Sequence, residues 1–197
     1  MDEQEIRLLL TQLLMPIVQF NEYEIELALD LFSFKTFESE AHVFVSQDIV
    51  TEVHFVLSGL GRYYYLDRDG KEFNKSLVKQ GGAFTSIGSL VDSSPSPFYA
   101  QALTQCKIAS IRYDELVALA EDNPNWGRFV RRLYERLALK KERREASFLL
   151  LDAQQRYEQF LMGFGSESEN IALNQVAMYL GITDVSLSRI RKKMGLT

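Results

Sequence analysis

The chain has 197 residues, 46% of them hydrophobic and 25% charged, with a formal net charge of −5. This is the balance of a soluble globular protein with room for one ordinary domain and a small one, and it excludes a low-complexity chain. No apolar run is long enough to span a bilayer, the acidic start Met1-Asp2-Glu3-Gln4-Glu5 is unlike a signal peptide, and the single cysteine, Cys106, forms no internal disulfide, so a cytoplasmic protein without a membrane partner is expected.

Ile6, Leu9, Leu10, Leu13 and Leu14 recur at helical spacing, and Pro16 ends that helix. Asn21 offers an N-cap to a second helix carrying Ile25, Ala28, Leu29 and Phe32 on one side. From Phe34 to about Arg112 the period changes to short β-branched and aromatic stretches between turn signals. The strand candidates are 42–46, 53–57, 62–66, 73–78, 99–104 and 107–111, with Asp67-Arg68-Asp69-Gly70 as a tight hairpin. So many short antiparallel strands predict a small barrel, roll or sandwich.

A short helix over 116–120 leaves the β region, and Asn123-Pro124 places proline at the start of a long helix running to about Leu151. Trp126, Val130, Leu133 and Leu137 form a stripe on it, suited to intramolecular core or to half of a parallel helix pair. Lys140, Lys141, Arg143 and Arg144 then read as a solvated charged face. A helix over 153–162 and a flexible stretch from Gly163 to Glu169 lead to the last segment.

That segment reads as two helices meeting at a sharp turn. Gly181 can take the positive φ that ends the first, and Thr183 can cap the second, with Asp184 in its first turn. Val176, Leu180, Ile182, Leu187 and Ile190 supply apolar contacts, and Ala177 is small where the helices cross. The pattern resembles the helix-turn-helix, whose second helix enters the major groove of double-stranded DNA. Leu187, Ile190 and Met194 face inward; Thr183, Asp184, Val185, Ser186, Ser188, Arg189 and Lys192 are the candidate DNA-binding residues. An arginine can bond guanine O6 and N7 together, so Arg189 is the candidate base reader. Arg189, Arg191, Lys192 and Lys193 against Asp184 make a basic tip on an acidic chain, which suits docking on a polyanion.

The order of parts resembles the cyclic-AMP receptor protein/Fnr family of bacterial transcription regulators. The specific pieces are F-V-L-S-G-L-G-R-Y-Y-Y-L-D-R-D-G-K-E, 55–72, and A-M-Y-L-G-I-T-D-V-S-L-S-R-I-R-K-K, 177–193, the latter similar to Bacteroidetes-type members. The resemblance implies an α+β chain: an antiparallel β-roll (jelly roll) of the cyclic-nucleotide-binding type with flanking helices, a long dimerisation helix and a C-terminal helix-turn-helix. The expected divisions are 1–122 for the N-terminal helices and sensor roll, 123–151 for the linker helix and 152–197 for the DNA-binding part. It also implies a homodimer joined through Trp126, Val130, Leu133 and Leu137, contact with RNA polymerase, and a small-molecule effector. Where the cyclic-AMP receptor has Arg and Glu early in its second helix, this chain has Asp184 and Val185, so the operator should differ.

The family's phosphate cassette holds a Glu for the ribose and an Arg-Ser pair for the cyclic phosphate. Here Ile87 stands near the first position and Pro97-Phe98 near the second. A buried phosphodiester without a cation would lose its strongest contacts, so cyclic AMP is not the expected effector and the cassette reads as degenerate. Gly82, Phe84, Ile87, Gly88, Ser89, Phe98 and Tyr99 are the candidate pocket residues, although the aromatic ones equally suit core. One cysteine cannot hold an iron–sulfur cluster; Cys106 reads as a small core residue, and His42 and His54, on separate strands, do not make a metal site. No cofactor, metal or catalytic constellation is expected, and an enzyme is not the reading. The alternative is a ligand-binding or protein-interaction module of the same fold that no longer binds DNA. Two features favour it: Asp184 at the groove-facing end, and Thr197 following the second helix without the family's wing hairpin.

Overall fold

The computed structural model describes residues 3–196; the acidic start at Met1 and Asp2 and the terminal Thr197 lie outside them. Helix α1 spans Glu3–Leu14 and α2 spans Glu22–Glu26, followed by a 3-10 turn at Leu29–Leu31. The Asn21 side chain accepts from the Glu24 amide while the Glu24 carboxylate accepts from the Asn21 amide, so two orphan donors at the start of α2 are satisfied reciprocally.

Eight strands follow: β1 Ser33–Phe37, β2 His42–Phe44, β3 Glu52–Ser58, β4 Gly61–Leu66, β5 Glu72–Val78, β6 Ala83–Phe84, β7 Tyr99–Ala102 and β8 Cys106–Arg112. They form two four-stranded antiparallel sheets, β1-β8-β3-β6 and β2-β7-β4-β5. Six of the eight coincide with the expected stretches to within one or two residues at either end. Strand β1 was not among them because it pairs only with β8, and its burial runs exposed–partial–exposed–exposed–partial, without clean alternation. Strand β6 is two residues long and continues into helix α3, Ile87–Asp92.

The sheets share a core of Phe44, Val56, Tyr63, Phe84, Phe98, Cys106 and Ile108 among others. On the β3/β8 sheet the alternate residues Val53, Phe55, Ala109 and Ile111 face the other way, into a second core with Leu10, Leu14, Phe20 and Phe129. Both faces of β3 are therefore covered, and four successive residues from Val53 to Val56 are buried. Gly59, at φ +97, makes the β3–β4 turn; a side chain there would run into the Gln105 carbonyl and the Cys106 sulfur.

Helix α4 spans Tyr113–Asp122, and α5 runs Pro124–Leu150. Asn123 caps α5 by accepting from the Asn125 and Trp126 amides. The expectation that Trp126 faces a partner is corrected. It is 0% exposed, packed on Phe20 and Phe129, with its indole N–H donating to the Glu24 carbonyl, and nothing of it remains for a second chain. Val130 and Leu133 are half-buried against the same core. The far half of α5 projects Leu139, Phe148, Leu149 and Leu150 outward.

Helix α6, Ala153–Phe164, starts at a capping box of Asp152 and Gln155. A 3-10 segment at Gly165–Asn170 leads to α7, Leu173–Leu180, and α8, Asp184–Lys193. Gly181, at φ +69, ends α7, and Thr183 caps α8 through the Ser186 amide. The pair shares a core of Tyr157, Phe160, Ile171, Val176, Ala177, Leu180 and Leu187, which also takes in Leu60 and Leu77 of the sheets. No described helix is long and apolar enough to cross a membrane.

Candidate functional site

Two places gather chemistry-bearing side chains. The first is a cavity of about 730 Å³ between the sheets, the middle of α5 and the C-terminal pair. Of the seven expected pocket residues, Gly82, Ile87, Gly88 and Phe98 line it. The other three are corrected. Phe84 is fully buried between the sheets, edge-on to Tyr63. Ser89 is buried and its hydroxyl donates to the Ser94 carbonyl. Tyr99 lies one residue out of phase with Phe98 and Ala100, so strand alternation sends it to the outer face, where it stacks on Tyr64 at 4.8 Å.

The cavity has residues that the sequence reading did not assign to it. Lys75 of β5 projects in, its ammonium 3.3 Å from the centre of the Phe98 ring. Lys140, Lys141 and Arg144 of α5 line the opposite side, so the basic run is not simply a solvated face. Lys140 donates from Nζ to the Leu77 carbonyl at 2.8 Å. Arg144 donates to the Asn74 and Tyr179 carbonyls, tying β5 to α7. Burial, then the neighbouring Lys141 and Lys140, pull the Lys75 ammonium down to about 8; burial, then Arg144, does the same to Lys140. Burial also lowers the Arg144 guanidinium. The cations were legible in the sequence as the continuation of the apolar stripe: after Leu133 and Leu137 the same seven-residue spacing lands on Lys140 and Arg144.

The second place is the outer face of α8. Leu187 is buried, while Asp184, Val185, Ser188, Arg189 and Lys192 are exposed, Val185 at 61%. Arg189 and Lys192 make no hydrogen bond or ion pair among the described residues. Thr183 and Ser186 are engaged in the cap, their hydroxyls 2.9 Å apart. The other two cations of the basic tip bond back to the chain: Arg191 donates to the Tyr157 hydroxyl and the Leu196 carbonyl, and Lys193, at the surface, to Gln154.

The pair is held to the sheets by a polar cluster that the sequence did not reveal. Arg62 is buried and pairs with Glu72 at 2.6 Å; it also donates to Gln101, Asn74 and Gln175. Asn74 in turn donates to the backbone and side-chain oxygens of Gln175 in α7. Elsewhere, His54 is buried against the Ser110 hydroxyl, and burial lowers its pKa, which keeps it a neutral strand residue. Cys106 is buried, its thiol pushed up to about 11 by that burial. Among the described residues no group of three or more His, Cys, Asp or Glu side chains converges as metal ligands would.

Two facing sheets with an α-helical insertion after β6, a long following helix and a compact helical end have known counterparts. Residues 34–123 match the cyclic nucleotide-binding domain family. The chain thus carries that domain's antiparallel sheet fold with flanking helices. Among solved structures, the c-di-GMP-responsive global regulator CLP of Xanthomonas campestris is similar at TM-score 0.70 and 20% identity, over 89% of this chain and 92% of that one. FixK2 of Bradyrhizobium japonicum is similar at TM-score 0.68 and 19% identity, over 83% of this chain and 84% of that one. The catabolite activator protein of Thermus thermophilus is similar at TM-score 0.54 and 18% identity, over 89% and 84%. At these identities the likeness is one of fold. No curated protein matches the sequence.

Proposed function

We propose that the chain is a dimeric, DNA-binding transcription regulator of the Crp/Fnr type. Its helix-turn-helix, α7 and α8, reads DNA, and its cavity serves as a sensor for a ligand other than cyclic AMP. The observation that carries this reading is the outer face of α8: Arg189 and Lys192 stand exposed and uncommitted on a helix whose inner face is anchored by Leu187. A solvated cation row on a firmly seated helix is what groove entry needs, with Arg189 placed to meet base edges and Lys192 phosphates. The similarity to structures described as a global regulator and a catabolite activator supports the reading. Exposed Leu139, Leu149 and Leu150 offer α5 an apolar face toward a second copy.

The roll side of the cavity supports an effector other than a cyclic nucleotide. Phe98 lines it where the family's cassette has its Arg-Ser pair, and Ile87 where it has its Glu. The protein is read as cytoplasmic and non-enzymatic, with double-stranded DNA, a second copy of itself and RNA polymerase as partners.

Binding to promoter duplexes from its own genome, against random duplex at two salt concentrations, tests the reading. Arg189→Ala is expected to lose discrimination at one base pair per half-site, by about 1–3 kcal/mol, without changing the fold. No preference over random duplex at either salt concentration would reject DNA reading. It would leave the module that binds a ligand or partner without DNA, the reading that the exposed Asp184 favours.

A further inference from the structure

We infer that the cavity between β5, α3 and α5 binds a small anion with an apolar body, its charge held by Lys75, Lys140 and Arg144 rather than by the loop that follows β6. The inference rests on the regulator reading only in calling that ligand an effector; its binding is a separate matter.

The first argument is charge inventory. Six cationic side chains line the cavity, and no Asp or Glu does among the described residues. One of the six is compensated elsewhere: Lys79 pairs with Glu167 at 2.8 Å. The others are not. Arg136, Lys140 and Arg144 donate only to neutral carbonyls, and Lys75 rests on the Phe98 ring with no hydrogen bond or ion pair among the described residues. Cations gathered around a partly dry volume repel one another, and an anion placed between them removes that repulsion. Burial first, and the neighbouring cations second, lower the Lys75 and Lys140 ammoniums.

The second argument is shape and polarity. Phe55, Tyr63, Ile87, Phe98, Leu133 and Leu137 supply the apolar part of the lining, interleaved with the cations. The Tyr63 hydroxyl is occupied by the Ala83 and Thr85 carbonyls, so it does not meet a polar ligand. A cavity of about 730 Å³ whose lining is apolar and cationic, without acidic groups among the described residues, selects an amphipathic anion over a small polar one. The segment after β6 and the approach to β7 offer the cavity neither a carboxylate for a ribose nor a cation for a cyclic phosphate; they contribute Thr85, Ile87, Gly88 and Phe98. Charge recognition therefore comes from α5 and β5. Since Arg144 also bonds the Tyr179 carbonyl of α7, an anion competing for its guanidinium acts directly on the seating of the C-terminal pair.

The test is a fluorescence titration of the full chain with 1-anilinonaphthalene-8-sulfonate, an aromatic sulfonate, at pH 7 without DNA. Saturable binding at one probe per chain is expected, displaced by decanoate but not by decanol or cyclic AMP. Lys75→Met combined with Lys140→Met should weaken it about tenfold or more, while Lys75→Arg with Lys140→Arg should retain it. Arg144→Gln provides a second weakened variant should the methionine pair melt uncooperatively. Equal affinity in these charge-deleted variants, equal displacement by decanol, or displacement by cyclic AMP ahead of decanoate would overturn the inference. Because DNA is absent, promoter binding can fail while this result stands, and the reverse.

Discussion

The two sides of the cavity differ in what their residues do for the fold. On the sheet side, aromatic residues are interlocked: Tyr63 meets Phe84 at 5.5 Å and Phe98 at 5.2 Å, both edge-on, and Phe84 is fully buried. On the α5 side, Lys140 and Arg144 each reach the sheets with one hydrogen bond to a carbonyl. Where a site is also core, its residues are fixed by packing; where it lies on a helix surface, they are free to be set by a ligand. Phe84→Ala is therefore expected to cost about 3–5 kcal/mol in denaturant unfolding, whereas Lys75→Met should cost nothing measurable or stabilise. A loss below about 1 kcal/mol for Phe84→Ala would mean the sheet side collapses around the deletion and is not the rigid partner.

The second contrast is between the sheets and the C-terminal pair. The pair's buried apolar seat on the sheets is Leu60 and Leu77; the polar part of the joint centres on the Arg62, Glu72, Asn74 and Gln175 cluster, with Arg144 and Lys79 adding single ties. Arg62→Leu deletes the guanidinium and leaves the Glu72 carboxylate and the Gln175 and Asn74 oxygens without it. Glu72 keeps 35% of its side chain in water, which limits the penalty. A destabilisation of roughly 2–3 kcal/mol is expected. Hydrogen exchange should place it: α7 amides should lose protection while β3 and β8 amides keep theirs. Uniform loss across the chain would show that the cluster supports the sheets and not the joint.

What was legible in the sequence divides along the same line. Alternation and turn chemistry located most of the strands, because each residue's face follows from its immediate neighbours. Asn123-Pro124 and Gly181-Thr183 marked helix ends for the same local reason. The cavity required knowing what lies across from what. Phe84, Phe98 and Tyr99 look alike in the sequence, yet one is core, one lines the cavity and one is on the outer face. Trp126 lies on a stripe that fits a helix pair equally well, and Phe20, more than a hundred positions away, decides its place. Lys140 and Arg144 were the recoverable part, since they occupy the stripe's own spacing where a solvated face would not be expected. Arg62 to Gln175 spans the sheets and the last helices and left no local signal.

The smallest expected effect is also the most direct measure of the crowded cations. In the fold, Lys75 and Lys140 are each held near 8. In the unfolded chain a lysine titrates near 10.4. Below about pH 8 both states carry these protons, and the cost of burying and crowding them is fully present. Between about 8 and 10.4 the unfolded chain binds more protons than the folded one, so stability rises with pH across that window. Tyr63 works the other way from about pH 10 upward: burial raises its hydroxyl well above the ordinary value, so the folded chain keeps a proton that the unfolded chain releases. Cys106, held near 11 in the fold, already opposes the rise from about pH 8.5, so the net rise is that of two ammoniums less one thiol. It is best read between about pH 8 and 9.5, before tyrosine titration adds to the opposition. Melting temperature should climb modestly over that interval, and Lys75→Met should flatten the slope, because it removes one of the two titrating ammoniums. A slope that is unchanged in Lys75→Met would assign the pH dependence to groups outside the cavity and leave Lys75 an ordinary solvated lysine.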